Sequence, residues 1–479
     1  MRLPIPQIVD PGIPSMARLL LDLRRAGRER PEESAKRRKA LLDRLVESAR
    51  ALSPFYRKRY AHLPGEIRHL RELPQVAKSE LMANFNAWAT DPAITRETAD
   101  AFVADPSRIG QLYLGRYVAF STSGTTGTPA VLLQDRRAMA VYQALLLGRR
   151  IPSLLSAGGL VPFLRNRART ATIIATGGHF ASSVVDARVR AVYPRLHGFN
   201  RTFSLMEPIP DLVRALNEFQ PAVVGSYPTA LAVLAEEKAA GRLRIDPVLL
   251  LAGAERLSPP LAARISGSFR CPVRDTYAAS EFMGIAFDCR HGRLHVNADW
   301  VILEPVDASG EPVPPDEPSR TTLLTNLANR LQPLIRYDLG DSVTMIPGSC
   351  PCGSPLPCIR PEGRCDEILR VELPDGTSRP LLPLVLATVA EETGGLLRYQ
   401  LLQAGPRALK LRVEEAPGHD RGRVCAEALR RLRAYLSSQG LESVSLDLSG
   451  ERPQPGDAAG GKSRQFLVER SGPGSRGVS

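Results

Sequence analysis

The sequence predicts an α/β protein with parallel strands, and three segments carry that reading. Thr172-Ile-Ile-Ala175, Ala222-Val-Val-Gly225 and Val248-Leu-Leu-Leu-Ala252 are short apolar runs that each end on glycine or another small residue. Helix-like stretches at 229–240 and 259–269 follow the second and third runs. Strands that alternate with helices form parallel sheets, and ligands bind in the loops after such strands.

Taken in order, residues 16–60 read as helical, because Leu19, Leu20, Leu23 and then Leu41, Leu42, Leu45 recur at helical spacing. A stop falls near Ser53-Pro54. The β-rich alternation occupies about 117–350 and gives way to a stretch at 347–363 rich in proline and cysteine. Beyond it, 367–373 and 408–414 read as strands, and 380–393 and 421–439 as helices. The expected organisation is a large N-terminal α/β domain at 1–364 and a smaller C-terminal α+β domain at 365–479. Glycine and polar residues fill 455–464, and 471–479 reads as a disordered tail. No internal repeat is visible.

Composition narrows the function. Hydrophobic residues make up 43% and charged residues 24% of 479, the balance of a globular protein. The formal net charge is +13, yet only seven of 63 basic residues are lysines: Lys36, Lys39, Lys58, Lys78, Lys238, Lys410 and Lys462. The basic residues are dispersed, and the run from Arg24 to Lys39 is broken by Glu29, Glu32 and Glu33. Such a charge suits an anionic ligand such as ATP or coenzyme A. Nucleic acid is disfavoured, since no reading motif with interleaved aromatics accompanies the charge. Four prolines within residues 1–15 argue against a signal helix, and no apolar run approaches a bilayer span. Seven cysteines, an odd number mostly in one third of the chain, suggest reduced thiols and a cytoplasmic setting.

Chemistry concentrates in ordered motifs. Ser121-Thr-Ser-Gly-Thr-Thr-Gly127 follows the apolar run Tyr117-Val-Ala-Phe120. Hydroxyls and glycines packed this way let backbone N–H and side-chain O–H groups wrap a polyphosphate. It is not a Walker loop, because no Gly-Lys-Ser/Thr stands at the required spacing. Ala252-Gly-Ala-Glu255, Tyr277-Ala-Ala-Ser-Glu281, Ile335-Arg-Tyr-Asp-Leu-Gly-Asp341, Gly363-Arg-Cys-Asp366 and Gly461-Lys-Ser-Arg464 follow in that order.

Together these segments resemble the acyl-adenylate-forming (AMP-binding) superfamily, and within it the phenylacetate–coenzyme A ligase-like branch, over roughly 50–470. The resemblance implies a large N-terminal domain, a mobile C-terminal lid, and site residues matched position by position. Ser123, Gly124, Thr125, Thr126 and Gly127 would hold the β- and γ-phosphates of ATP. Ala254, Glu255, Tyr277 and Ser280 would border the nucleotide, with Tyr277 stacked on or flanking the adenine. Glu281 would help bind Mg²⁺, Asp341 would accept from the ribose hydroxyls, and Arg364 would be a second ribose or phosphate contact. Asp366 would be the hinge, and Lys462 would stabilise charge on the α-phosphate and carboxylate oxygens. Lysine's compact ammonium on a flexible stem suits that insertion. Thr128 stands where the family often has a lysine, and Ala278 replaces the usual glycine. Residues 372–383 match only loosely the loop that in relatives shapes the thioester-forming conformation.

Two further clusters stand out. Cys289 and His295 lie six apart, and Cys350-Pro-Cys352 follows some 55 residues later. Two thiolates plus a Cys/His pair complete a tetrahedral structural zinc site. Independent reduced cysteines are the other reading, and His291 and Cys358 are alternative ligands. For the acid pocket, Thr176-Gly-Gly-His-Phe-Ala181 and Gly225-Ser-Tyr-Pro228 each follow a strand. His179, Phe180, Ser226 and Tyr227 are therefore candidate lining residues. No general base is required, because a carboxylate is ionised at neutral pH.

The expected activity is ATP-dependent conversion of a carboxylic acid to acyl-AMP, with aryl or arylacetic acids favoured by the resemblance and coenzyme A as acceptor. An amide- or ester-forming ligase built on the same intermediate is the enzymatic alternative. A zinc-bearing nucleic-acid-binding protein is the alternative from another class.

Overall fold

A computed structural model describes residues 15–122, 130–151, 160–165, 168–192, 198–362, 369–454 and 465–468. The predicted helical segment begins as helices Met16–Ala26, Pro31–Leu52 and Pro54–Arg59. Proline opens the second and third, where its missing N–H costs nothing. The Ser53 hydroxyl accepts from Tyr56 N at the junction. Tyr56 and Trp88 both donate to the Pro333 carbonyl, at 2.9 and 2.8 Å, so buried aromatic rings fasten this helical part to the loop before Tyr337.

The strands are β1 Val118–Thr122, β2 Ala130–Gln134, β3 Thr170–Ile174, β4 Asn200–Ser204, β5 Val223–Ser226, β6 Leu249–Gly253 and β7 Val273–Ala279. Then come β8 Phe282–Asp288, β9 Leu294–Val296, β10 Val301–Val306, β11 Thr321–Asn326, β12 Tyr337–Asp338, β13 Val343–Ile346 and β14 Cys358–Pro361. Among the described residues they build a nine-stranded sheet in the order β13-β14-β9-β8-β7-β6-β5-β3-β4. Strands β4, β3, β5, β6 and β7 pair in parallel, as the sequence predicts. Beyond β7 the pairing is antiparallel. Ala279 pairs with Phe282, so Ser280-Glu281 is a two-residue turn, and a link that short joins only antiparallel neighbours. The chain leaves β3 for β4 at one edge and returns to β5 on the other side. The loops after β3 and β5 therefore diverge at a switch point, where crevices open.

The C-terminal part holds the hairpin β15 Leu369–Glu372 and β16 Ser378–Leu381, then β17 Leu396–Gly405, β18 Ala408–Glu415, β19 Ser445–Leu448 and β20 Phe466–Val468. The last four form a sheet in the order β19-β18-β17-β20. The helix read at 380–393 is shorter, Pro383–Glu391, because β16 takes 378–381 and Pro383 occupies the first helical turn. One apolar core crosses from this part to the parallel sheet, joining Leu369, Leu381 and Val385 to Ala171, Leu231 and Leu250. Arg370 adds a 2.6 Å ion pair to Glu236. Among the described residues no helix is long and apolar enough to cross a membrane.

Candidate active site

A cavity of about 1430 Å³ opens at the carboxyl ends of β5, β6 and β7. One arm is polar. The Ser280-Glu281 turn forms part of its wall, held by two buried amides: Asn326 Nδ2 donates to the Glu281 carbonyl (2.8 Å) and Gln134 Nε2 to that of Ser280 (3.1 Å). Two tyrosine–carboxylate pairs are built here. Tyr337 O–H donates to Glu281 Oε1 at 3.0 Å, and Tyr277 O–H donates to Asp341 Oδ2 at 2.9 Å. Burial first, and the neighbouring carboxylates second, push both phenols well above their ordinary range, so they remain donors. Ala254 lies on the same wall with φ +67°, a left-handed conformation that a residue with a side chain rarely adopts.

A residue to which the sequence reading gave no role completes this arm. Lys78 begins a short helix and lines the cavity, its Nζ 3.0 Å from Thr122 Oγ1. Thr122 Oγ1 also accepts from Ala130 N (3.2 Å), so one hydroxyl spans the base of the Ser/Thr/Gly segment. Lys78 reaches this place through long-range pairing. Val76 N donates to the Arg336 carbonyl (3.0 Å) and Asp338 N to the Val76 carbonyl (2.9 Å), which sets Lys78 beside the Tyr337–Asp341 loop. The signal available in the sequence was its rarity, as one of seven lysines.

The other expected residues divide. Phe180 and Tyr227 line the cavity, and the Tyr227 hydroxyl also accepts from Ala175 N across the switch point (3.2 Å). His179 and Ser226 do not line it. The His179 ring is buried beside Phe102 (centroids 5.5 Å apart), where burial lowers its pKa, while its carbonyl accepts from Ser121 N at 2.8 Å. Ser226 donates to the Ile173 carbonyl of the next strand at 2.8 Å. Glu255 accepts from Thr229 N and Oγ1, both at 3.0 Å, and so caps helix Pro228–Ala239. The Tyr277 ring is not on the cavity wall, whereas its neighbours Thr276 and Ala278 are. Ser123, Gly124, Thr125, Thr126, Gly127, Arg364, Asp366 and Lys462 lie outside the described residues.

Beneath β7 and β8 lies a buried charge cluster. Arg150 Nη1 is 2.9 Å from Asp288, and Arg274 is 4.0 Å from its other oxygen. Burial, with Asp288 near, pushes Asp275 up to about 7 against the opposing Thr276 amide and Arg150. The folded chain therefore holds a proton that an unfolded aspartate, with pKa near 3.9, has lost. That contribution to stability is present at acid pH and is lost as pH rises from about 4 to 7. Asp275→Asn keeps the acceptor and removes the charge. Thermal melts should show a gain on the order of 2 °C at pH 8 and a smaller one at pH 5. Equal shifts at both pH values would refute the assignment.

A separate cluster gathers metal donors. Cys289 follows β8, His295 sits on β9, and Cys350 and Cys352 follow β13. Their donor atoms all lie within 4.8 Å of one another. Cys289 Sγ is 3.6 Å from Cys350 Sγ, and Cys352 Sγ is 3.3 Å from His295 Nε2. His295 Nδ1 faces the Leu356 carbonyl at 3.1 Å. Of the two alternative ligands, His291 is exposed with Nε2 held by Arg290 Nε, and Cys358 Sγ borders the four-donor group, 3.5 Å from His295 Nδ1 and 3.8 Å from its Nε2.

This architecture, a switch-point crevice in a largely parallel sheet beside a C-terminal α+β part, is shared with solved structures of 2-hydroxyisobutyryl-CoA ligase. The chain overlays on that ligase in complex with 2-HIB-AMP and CoA in the thioesterification state with a TM-score of 0.57 and 19% identity, covering 94% of this chain and 92% of the other. The postadenylation state gives 0.54 over the same shares, also at 19% identity. Among curated proteins, CapK of Staphylococcus aureus is 27% identical over 135 residues, a match that spans 28% of each chain. No protein-family model matches.

Proposed function

We propose that the protein activates a carboxylic acid as its acyl-AMP and passes the acyl group to coenzyme A. The observation that carries this reading is one cavity lined by Glu281, Asp341 and Lys78, with Lys78 held at Thr122, the base of the Ser/Thr/Gly segment. The substrate carboxylate attacks the α-phosphorus of ATP and pyrophosphate leaves. Asp341, oriented by Tyr277, accepts from the ribose hydroxyls. Glu281, oriented by Tyr337, would hold Mg²⁺, whose charge offsets that growing on the phosphate oxygens. Lys78 supplies a cation at the phosphate end, where Thr128 leaves the usual lysine missing. The C-terminal part already reaches the cavity through Leu384, Thr388 and Glu391, which supports a lid. On this reading Lys462 enters from that lid for adenylation and leaves as it turns about Asp366. The shared fold with a ligase solved with coenzyme A supports the thiol acceptor.

The cysteine cluster fits a structural zinc. Zn–S bonds near 2.3 Å and Zn–N near 2.0 Å in a tetrahedron separate donors by about 3.5–3.8 Å, close to the observed spacings. The Leu356 carbonyl would fix the His295 tautomer with Nε2 toward the metal.

Purified protein with Mg²⁺ should exchange labelled pyrophosphate into ATP only when a suitable acid is present. Product masses with coenzyme A or amines then separate thioester from amide formation. No exchange across a broad acid panel, with no ATP binding in calorimetry, would sink the proposal.

A further inference from the structure

The cavity has a second arm, and its shape speaks to the acid. We infer that the acyl group is an extended apolar chain of about a dozen carbons rather than a compact acid. This rests on the acyl-adenylate reading above.

Helix Ala181–Val192 presents Ala181, Val185, Val189 and Val192 to the cavity. The spacings of four, four and three keep these side chains on one helical face. Helix Arg136–Leu145 and its continuation supply Met139 and Leu146 in the same way, seven residues apart. Met283 and Phe287 of β8 add a third wall. In an ordinary amphipathic helix such a stripe is buried against the core. Here Met139, Val185 and Val189 are only partly buried and line the void. Apolar surface left uncovered in a cleft is the driving force for an apolar ligand. Arg188 of the same helix is turned toward the Gly110 carbonyl at 3.3 Å, and Arg136 stands at the start of the second helical wall.

Length follows from helix geometry. From Ala181 to Val192 the wall runs eleven residues, or roughly 16 Å at 1.5 Å per residue. An extended chain advances about 1.2 Å per bond, since a residue's three bonds span 3.3–3.6 Å. The wall therefore covers about a dozen bonds. An acid carrying a single ring leaves the outer half of the stripe in water. That outer end is open: Leu146 and Val192 are 48% and 40% exposed. The inner end joins the polar arm within the same cavity, so a carboxylate beside Glu281 and a tail along the stripe belong to one molecule.

The test is pyrophosphate exchange over butanoate, octanoate, dodecanoate and hexadecanoate, with phenylacetate and 2-hydroxyisobutyrate as compact acids. We expect kcat/KM to rise about threefold to fourfold per methylene up to about twelve carbons, then level off as the tail leaves the open end. Val189→Trp should move that plateau to shorter acids. Val192→Trp at the exposed rim is read in parallel, so that a packing failure at 189 leaves the inference testable. Compact acids equal to or better than dodecanoate overturn this inference alone. Absence of exchange with every acid overturns the adenylation reading and this inference with it.

Discussion

Replacing Cys350 and Cys352 together by serine should strip the protein of zinc, about one ion per chain in the parent, and lower its melting temperature by on the order of 10 °C. The size follows from where the four donors sit. Cys289 ends the antiparallel arm β7–β8, His295 lies on β9, and the Cys350-Pro-Cys352 loop joins β13 to β14. One ion there would clamp the β8–β9 connection, strand β9 and the β13–β14 loop at the sheet edge, and the binding free energy of a site absent from the unfolded chain is folding free energy. The loss should also reach the active site. Phe287 on the apolar arm and Asp288, paired with Arg150 at 2.9 Å, immediately precede Cys289. Cys358→Ser, at the border of the four-donor group, should keep the metal. Elemental analysis and melts with and without a chelator decide. A metal-free parent, or a double variant that melts with the parent, refutes the site.

How far the sequence revealed this architecture depends on the range of the interactions involved. The runs at Thr172–Ala175, Ala222–Gly225 and Val248–Ala252 became β3, β5 and β6 within one or two residues. Each is buried on a parallel sheet, and continuous apolarity is what such strands require. The antiparallel edge was less legible, since β9 and β12 are three and two residues long and exist through their partners. Strand β17, Leu-Leu-Arg-Tyr-Gln-Leu-Leu-Gln-Ala-Gly, shows no clean alternation, and it lies between neighbours on both sides. Loop side chains were hardest to read. Gly177 and Gly178, at φ +129° and +54°, turn the chain so that His179 points into the core and Phe180 into the cavity. Nothing in residue type announces that choice. The cysteine cluster was more legible, because ligand chemistry narrows the residues that can cooperate.

Lys78 shows the limit most clearly, and Lys78→Ala carries the largest expected effect on rate. If its ammonium offsets charge that builds on the phosphates as pyrophosphate departs, its loss should slow acyl-AMP formation by about 10²–10³, the range for removing one preorganised donor. ATP binding should weaken far less, because Asp341 and the Ser/Thr/Gly segment remain. Melting temperature should move far less than the rate, since Lys78 lies on the cavity wall and not in the apolar core. Lys78→Arg should recover only part of the rate, a broad planar guanidinium being a poor substitute for a compact ammonium. Lys462→Ala provides the comparison. A lysine carried by a lid should matter for adenylation and not for thioester formation from supplied acyl-AMP. Lys78, fixed by the Val76–Tyr337 pairing, is present in both half-reactions, yet in the second no pyrophosphate remains for it to face. Both variants should therefore be slow in the first half-reaction and near the parent in the second. If Lys78→Ala keeps more than half of the parent's exchange rate, the residue is only a brace for Thr122, and the cation at the phosphate end must come from elsewhere in the chain.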